Sequence, residues 1–162
     1  MLGLKMEKVL FKEEQQFRQL WLWILLIASC WLPLILLIRP LVKTWVSGSK
    51  DFLLLVFVSA FILVFALVFT WLFKSTRFVI EVWIDGIWYK FPPLLYKWKC
   101  IQKNEIEKYE VRTYRLVSEY GGWGIKGGSK NKAYNVSGNI GLQLYLKNGK
   151  KILFGTLKKQ AI

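Results

Sequence analysis

Two long stretches of the chain carry no charge. Leu20 to Ile38 covers 19 residues and Phe52 to Phe73 covers 22, and neither shows a polar stripe at helical spacing. At about 1.5 Å per residue, helices of these lengths reach roughly 28 and 33 Å, against a hydrocarbon core of about 30 Å. The pattern predicts two transmembrane helices, 20–38 and 52–73. Two buried core helices are the alternative, but a 162-residue chain is too small to wrap both on every side. Arg39-Pro40 is expected to stop the first helix and Pro33 to kink it. The link 39–51, with Gly48 between serines, turns the chain back into a hairpin whose two flanks share one side. Arg18, Trp21, Trp23, Arg39, Trp71, Lys74 and Arg77 stand where headgroup-depth anchors are expected. Residues 1–19 mix Glu, Gln and Lys with Val9, Leu10, Phe11 and Phe17, and read as an amphipathic or polar helical segment.

From Arg77 onward the period changes to two. Phe78 to Ile84 and Ile87 to Phe91 flank Asp85-Gly86, a strong hairpin signal, and Pro92-Pro93 ends the second strand. Leu94 to Ile101 reads as a third strand, with Tyr96, Trp98 and Cys100 alternating against Lys97 and Lys99. Ile106 to Val117 reads as a fourth. A glycine-rich connection follows, Gly121 to Gly128. Further strands are expected at 133–136, 140–146 and 151–154, the last two joined at Asn148-Gly149. About seven short antiparallel strands suggest a small sandwich or barrel over 77–162. A short or truncated C-terminal helix of two turns at most fits after Thr156.

Composition sharpens this division. The chain is 54% hydrophobic, above the usual range of about 45–50%. Outside the two spans 51 of 121 residues are apolar, an ordinary share for a folded domain, and those positions hold all 34 charged residues. A soluble globule and a disordered tail are both excluded. Two processing signals are weighed and set aside. The apolar core of 20–38 is too long for a signal peptide, and Glu7, Glu13 and Glu14 precede it. Ile27-Ala-Ser-Cys30 resembles a lipoprotein box, but Cys30 is followed by eight more apolar residues. A small apolar Cys packed within the span is the preferred reading. Cys100 lies in the other part of the chain, so no structural disulfide is expected.

Candidate chemistry is sparse. There is no histidine, which removes the commonest general base and metal ligand, and two separated cysteines build no zinc site. Glu105 and Glu107, two apart, are expected on one face of a strand, as a solvated acidic face rather than a catalytic pair. The run Gly121-Gly122-Trp123-Gly124 with Lys126, Lys130 and Lys132 has no P-loop spacing. It reads either as a loop of backbone N–H groups able to hold an anion or as a hairpin loop kept soluble by lysines. Trp123 is either a core anchor or a wedge near headgroups. Asn135-Val-Ser137 matches a glycosylation sequon by chance.

The run Phe11-Lys-Glu-Glu-Gln-Gln-Phe-Arg-Gln-Leu-Trp21, the run Gly121 to Lys126, and Tyr134-Asn-Val-Ser-Gly-Asn-Ile-Gly141 with Gln143 carry a resemblance. Across nearly its whole length the chain resembles uncharacterised bacterial membrane proteins with two transmembrane helices and a pleckstrin-homology-like (PH-like) domain. The resemblance implies a seven-stranded, two-sheet barrel closed at one end by a C-terminal helix, here short or cut off. It implies no activity. Seven basic residues flank the hairpin on the terminal side against three in the loop, which favours a bacterial inner (cytoplasmic) membrane protein with both termini in the cytoplasm.

Residues 74–162 hold 17 Lys and Arg against 6 Asp and Glu, a net of +11. A basic surface near an anionic leaflet gains about 1 kcal/mol per well-placed charge. No helix-turn-helix, zinc or RNP-type motif points to nucleic acid. The expected function is a non-catalytic, membrane-anchored binding or adapter module, without a cofactor or metal. Its basic domain would meet anionic headgroups or an unknown protein partner, with Lys126, Lys130, Lys132, Trp123, Gly121, Gly122 and Gly124 as candidate contacts. The alternative is a subunit or assembly factor of a larger membrane complex, joined through small positions such as Ser29, Ser59, Ala60, Ala66 and Thr70.

Overall fold

The computed structural model describes residues 9–157. They divide into two compact units: a helix hairpin, 18–75, and a β domain made of the segments on either side of it.

The hairpin consists of α1 (Leu20–Ser47) and α2 (Asp51–Ser75), both long and apolar enough to cross a membrane. The first helix does not stop at Pro40. It runs on through Pro33 and Pro40 for 28 residues. The Thr44 hydroxyl donates to Pro40 O at 2.9 Å within that stretch. The turn shrinks from the expected 13 residues to Gly48, Ser49 and Lys50, with Gly48 in the left-handed region at φ 62°. Leu26 and Cys30 of α1 are buried against Ala66 of α2, and Trp31, Leu34 and Phe73 pack around them. The Cys30 thiol is thus the small buried group read from the sequence, and both cysteines are free. Ser59 and Thr70 turn their hydroxyls back to Leu55 O and Ala66 O of their own helix, each at 2.7 Å.

The β domain begins before the hairpin, not after it. Phe11–Gln16 is a strand, β1, where a helical segment was expected. It pairs antiparallel with β2 (Arg77–Val82), from Phe11 opposite Val82 to Gln16 opposite Arg77. Residues 1–8 of the expected helical segment lie outside the described residues. Next come β3 (Gly86–Phe91) and β4 (Leu95–Gln102), completing a sheet of order β1-β2-β3-β4. A single 3₁₀ turn, Lys103–Glu105, leads to β5 (Ile106–Thr113). The strand expected to reach Val117 ends at Thr113, and α3 (Leu116–Tyr120) follows. The glycine-rich connection contains a hairpin, β6 (Gly124–Gly127) and β7 (Asn131–Asn135). Then come β8 (Ile140–Leu146) and β9 (Lys151–Thr156). The second sheet has the order β5-β8-β9-β7-β6, and its β7–β9 pair is parallel. Two mostly antiparallel sheets of four and five strands thus replace the seven strands expected. Thr156, the expected start of a C-terminal helix, ends β9, and residues 158–162 lie outside the described set.

Strand alternation decides which side chains meet between the sheets. Phe78 and Tyr89 of the first sheet face Tyr134 and Phe154 of the second, with ring centroids 4.9 to 6.4 Å apart, and Phe91 packs on Phe78 at 5.6 Å. Glu13 and Gln15 share this inner face and are buried. Glu13 Oε2 accepts from the Thr156 hydroxyl at 2.6 Å and Oε1 from Leu157 N at 2.8 Å. Gln15 Nε2 donates to Gly155 O at 2.7 Å and to Glu13 Oε1 at 3.0 Å. These bonds tie β1 to the end of β9, more than a hundred residues away.

Candidate functional site

The glycine-rich run turns several of its backbone N–H groups inward. Gly121 ends α3 in the left-handed region, and its N–H donates to Val117 O, while Gly122 N–H donates to Leu116 O. This is the carbonyl-capping pattern of a helix end. Gly124 N–H donates to the Asn135 side chain at 3.1 Å. The three backbone donors are therefore engaged inside the domain. Lys126 sits opposite Ala133, and Lys132 is the next residue along β7, so the two side chains leave opposite faces of the sheet. Lys130 lies in the turn between them and is exposed. Trp123 packs on the cluster of Tyr114, Leu116, Tyr120, Ala133 and Leu153, which places it as a loop anchor. Glu105 and Glu107 do not share a strand face either. Glu105 belongs to the 3₁₀ turn and its carboxylate accepts from Gln102 N at 3.0 Å.

A different surface combines aromatic and basic side chains. Strand β4 is an edge strand, and its alternation turns Tyr96 and Trp98 outward. Tyr96 is 80% exposed, and Leu94 and Trp98 are exposed beside it. Lys90 of β3 lies over the Trp98 ring, 4.4 Å from its centroid, a cation–π arrangement. Lys97 and Lys99 leave the other side of the same strand and are exposed. Pairing between β3 and β4 is irregular here: Lys90 alone separates Tyr89 from Phe91, where three residues separate their partners Lys99 and Leu95. The regular register up to Tyr89 and Lys99 sets Lys90 opposite Trp98, which brings the two together. The start of this surface is fixed to β2, because Arg77 N donates to Pro92 O at 2.9 Å. The sequence shows the alternation but not the edge position, which is what exposes both rows.

On the outer face of the second sheet, Arg112 donates to Glu119 at 2.8 Å and to Gln143 at 3.3 Å, and Tyr120 lies within 3.3 Å of both Arg112 and Gln143. Glu119 also accepts from Arg115 N at 2.7 Å, which caps α3. The Arg112 hydrogen bond, then the Arg115 N–H, hold the Glu119 carboxyl below its ordinary value of 4.5. Because the folded value is depressed, this contribution to stability is complete above the unfolded value and is lost as pH falls through the folded one. Glu119→Gln is expected to lower stability slightly above about pH 4.5 and to match the wild type at more acid pH, which flattens the acid limb. Unfolding midpoints of the two proteins between pH 3 and 7, roughly the span of these titrations, check this. A mutant acid limb as steep as the wild type's would be evidence against it.

Burial pushes the Cys100 thiol up, with Asp85 and Glu105 adding to the effect, which is the opposite of an activated thiolate. Among the described residues no group of three or more His, Cys, Asp or Glu stands close enough to hold a metal. No family model, curated protein or solved structure matches the chain.

Proposed function

We propose that the chain is a membrane-anchored binding module with no catalysis of its own, whose β domain contacts anionic lipid headgroups through the β3–β4 surface. The observation that carries this reading is the edge strand β4, which exposes Tyr96 and Trp98 on one side and Lys97 and Lys99 on the other, with Leu94 exposed before it and the half-buried Lys90 against Trp98. Aromatic rings and basic side chains together suit headgroup depth. Its hydrogen bond to Arg77 ties the start of this surface to the first residue of β2. One residue, Thr76, separates Ser75 from Arg77, a reach of at most about 7 Å. The pairing of Gln16 with Arg77 supports one common side for the segments flanking the hairpin. The excess of basic residues there favours the cytoplasmic side of a bacterial inner membrane. A PH-like architecture fits as well: without the inserted β6–β7 hairpin, seven strands in two sheets remain.

The test uses the full chain in nanodiscs. Hydrogen exchange across 92–100 is expected to slow at least about tenfold in anionic discs relative to zwitterionic ones, since three lysines each contribute about 1 kcal/mol. The protection should fade at 0.5 M salt, where the screening length falls to about 4 Å. Tyr96→Ser with Trp98→Ser should remove most of it. Equal exchange in the two lipids would contradict the lipid reading, and protection appearing only with a co-purified protein would favour an adapter.

A further inference from the structure

The sheets do not cover each other along the edge formed by β5. Between β1 and the β2–β3 turn on one side and β5 and β8 on the other lies a cavity of about 470 Å³. Its walls include Phe11, Val82, Ile87, Ile106, Leu142 and Leu144. Tyr109 lines it too and is 70% exposed, so the cavity opens to solvent on this side. Gly86 forms part of the lining because the chain passes too close for a side chain: a Cβ there would meet Ile101 O at 2.3 Å. Lys103 is the one charged residue among those that line the cavity. Its backbone N–H donates to Asp85 O at 2.8 Å, which fixes the 3₁₀ turn beside the β2–β3 turn. Among the described residues no ion pair neutralises the Lys103 ammonium.

We infer that this cavity binds a single-chain amphiphile with one anionic headgroup, the class that includes fatty acids and single-chain lipid anions. Apolar walls from five strands can bury a hydrocarbon chain, but they offer little to orient a polar molecule. The lone ammonium complements one negative charge. The volume lies in the lower part of the range of small-molecule sites, about 300–1,000 Å³. It is too small for the paired chains of a bilayer lipid. The site is separate from the β3–β4 surface, and its occupation does not depend on the reading of that surface.

The experiment uses the full chain in zwitterionic nanodiscs, with empty discs correcting for partition of the ligand into lipid. Hexanoate, octanoate and decanoate are titrated beside the alcohols of equal length. Hydrogen exchange at 82–87, 103–109 and 142–144 reports on the site. Affinity is expected to rise about fourfold per added CH₂. Each carboxylate should bind several-fold more tightly than its alcohol. Lys103→Gln, a change at an exposed position, should abolish that preference and leave alcohol binding intact. Leu144→Trp should block both ligands. If the tryptophan variant does not fold, the Lys103 comparison decides alone. An affinity indifferent to chain length overturns the inference, as does equal binding of acid and alcohol by the unaltered protein. A preference that survives Lys103→Gln also overturns it, and so does protection confined to α1 and α2.

Discussion

A fragment that starts after the helix hairpin, residues 76–162, is expected not to fold, although it contains eight of the nine described strands. It lacks β1, which pairs with β2 over six residues. Without β1, the inner-face residues Phe78 and Ile80 lose their neighbours Gln15 and Glu13. The groups at the end of β9 that bond to those side chains lose them too. Joining Gln16 to Arg77 through a two-residue type I′ turn, in place of the helices, should restore a soluble sandwich, because those two residues already face each other across the ladder. The point substitution Glu13→Leu isolates the cause. It removes the acceptor of the buried Thr156 hydroxyl, of one buried Gln15 N–H and of the N–H of the exposed Leu157. Buried groups stripped of a partner cost about 1–3 kcal/mol each, so the loss is expected to be about 3–5 kcal/mol. That is a large part of a typical domain stability of roughly 5–15 kcal/mol. Chemical denaturation of the joined, helix-free protein measures it. A cooperative unfolding transition in the 76–162 fragment, equal in midpoint to that of the joined protein, would refute this account of β1.

The second large effect concerns Gly155. The Tyr114 ring lies across the second sheet over two glycines. A Cβ on Gly141 would stand 3.1 Å from Tyr114 Cε1 and 2.8 Å from Phe154 O. One on Gly155 would stand 2.9 Å from both the Tyr114 hydroxyl and Asn135 Cβ. Gly155→Ala therefore overpacks a full site and is expected to cost about 1–3 kcal/mol. Tyr114→Phe behaves differently. Among the described residues the buried hydroxyl has no hydrogen-bond partner, and burial pushes its pKa up to about 12. Removing it should be neutral or stabilising by up to about 1 kcal/mol. In the double variant the missing oxygen opens part of the room that the new methyl needs. The two changes should couple by about 0.5–3 kcal/mol. Strict additivity in the denaturation cycle would show that Asn135, not Tyr114, limits the space.

The features legible in the sequence are those governed by local rules. The charge-free runs mark the two helices, because nothing else in a chain this size tolerates such runs. Asp85-Gly86 and Asn148-Gly149 mark two hairpins through turn chemistry alone. The failures share a long-range cause. Strand β1 reads Phe-Lys-Glu-Glu-Gln-Gln, a composition that favours a helix, and its inward positions are Glu13 and Gln15 instead of apolar residues. Only partners at the far end of the chain make those two side chains acceptable inside. The run from Ile106 ends early because Tyr114 N turns to Asn139 O and Glu119 caps the short helix that follows. Pro40 passes for a helix stop, yet the helix continues through it. For the site, lysine and glycine content drew attention to 121–132. The exposed aromatic row of β4 was present as an alternation, but its face depends on sheet order, and no local pattern encodes that.

The pairing of β1 with β2 across an inserted hairpin also sets an order of events during synthesis. Sixty residues separate Gln16 from Arg77, and β9 ends 140 residues after β1. At about 5–20 residues per second, β1 waits some 3–12 s for its neighbour strand and about 7–28 s for Thr156. An apolar strand left waiting that long would be an aggregation hazard. A strand built on Lys12, Glu13, Glu14, Gln15 and Gln16 can wait in water. The polar inward face that conceals β1 from a reading of the sequence thus suits a strand that is made well before either of its partners.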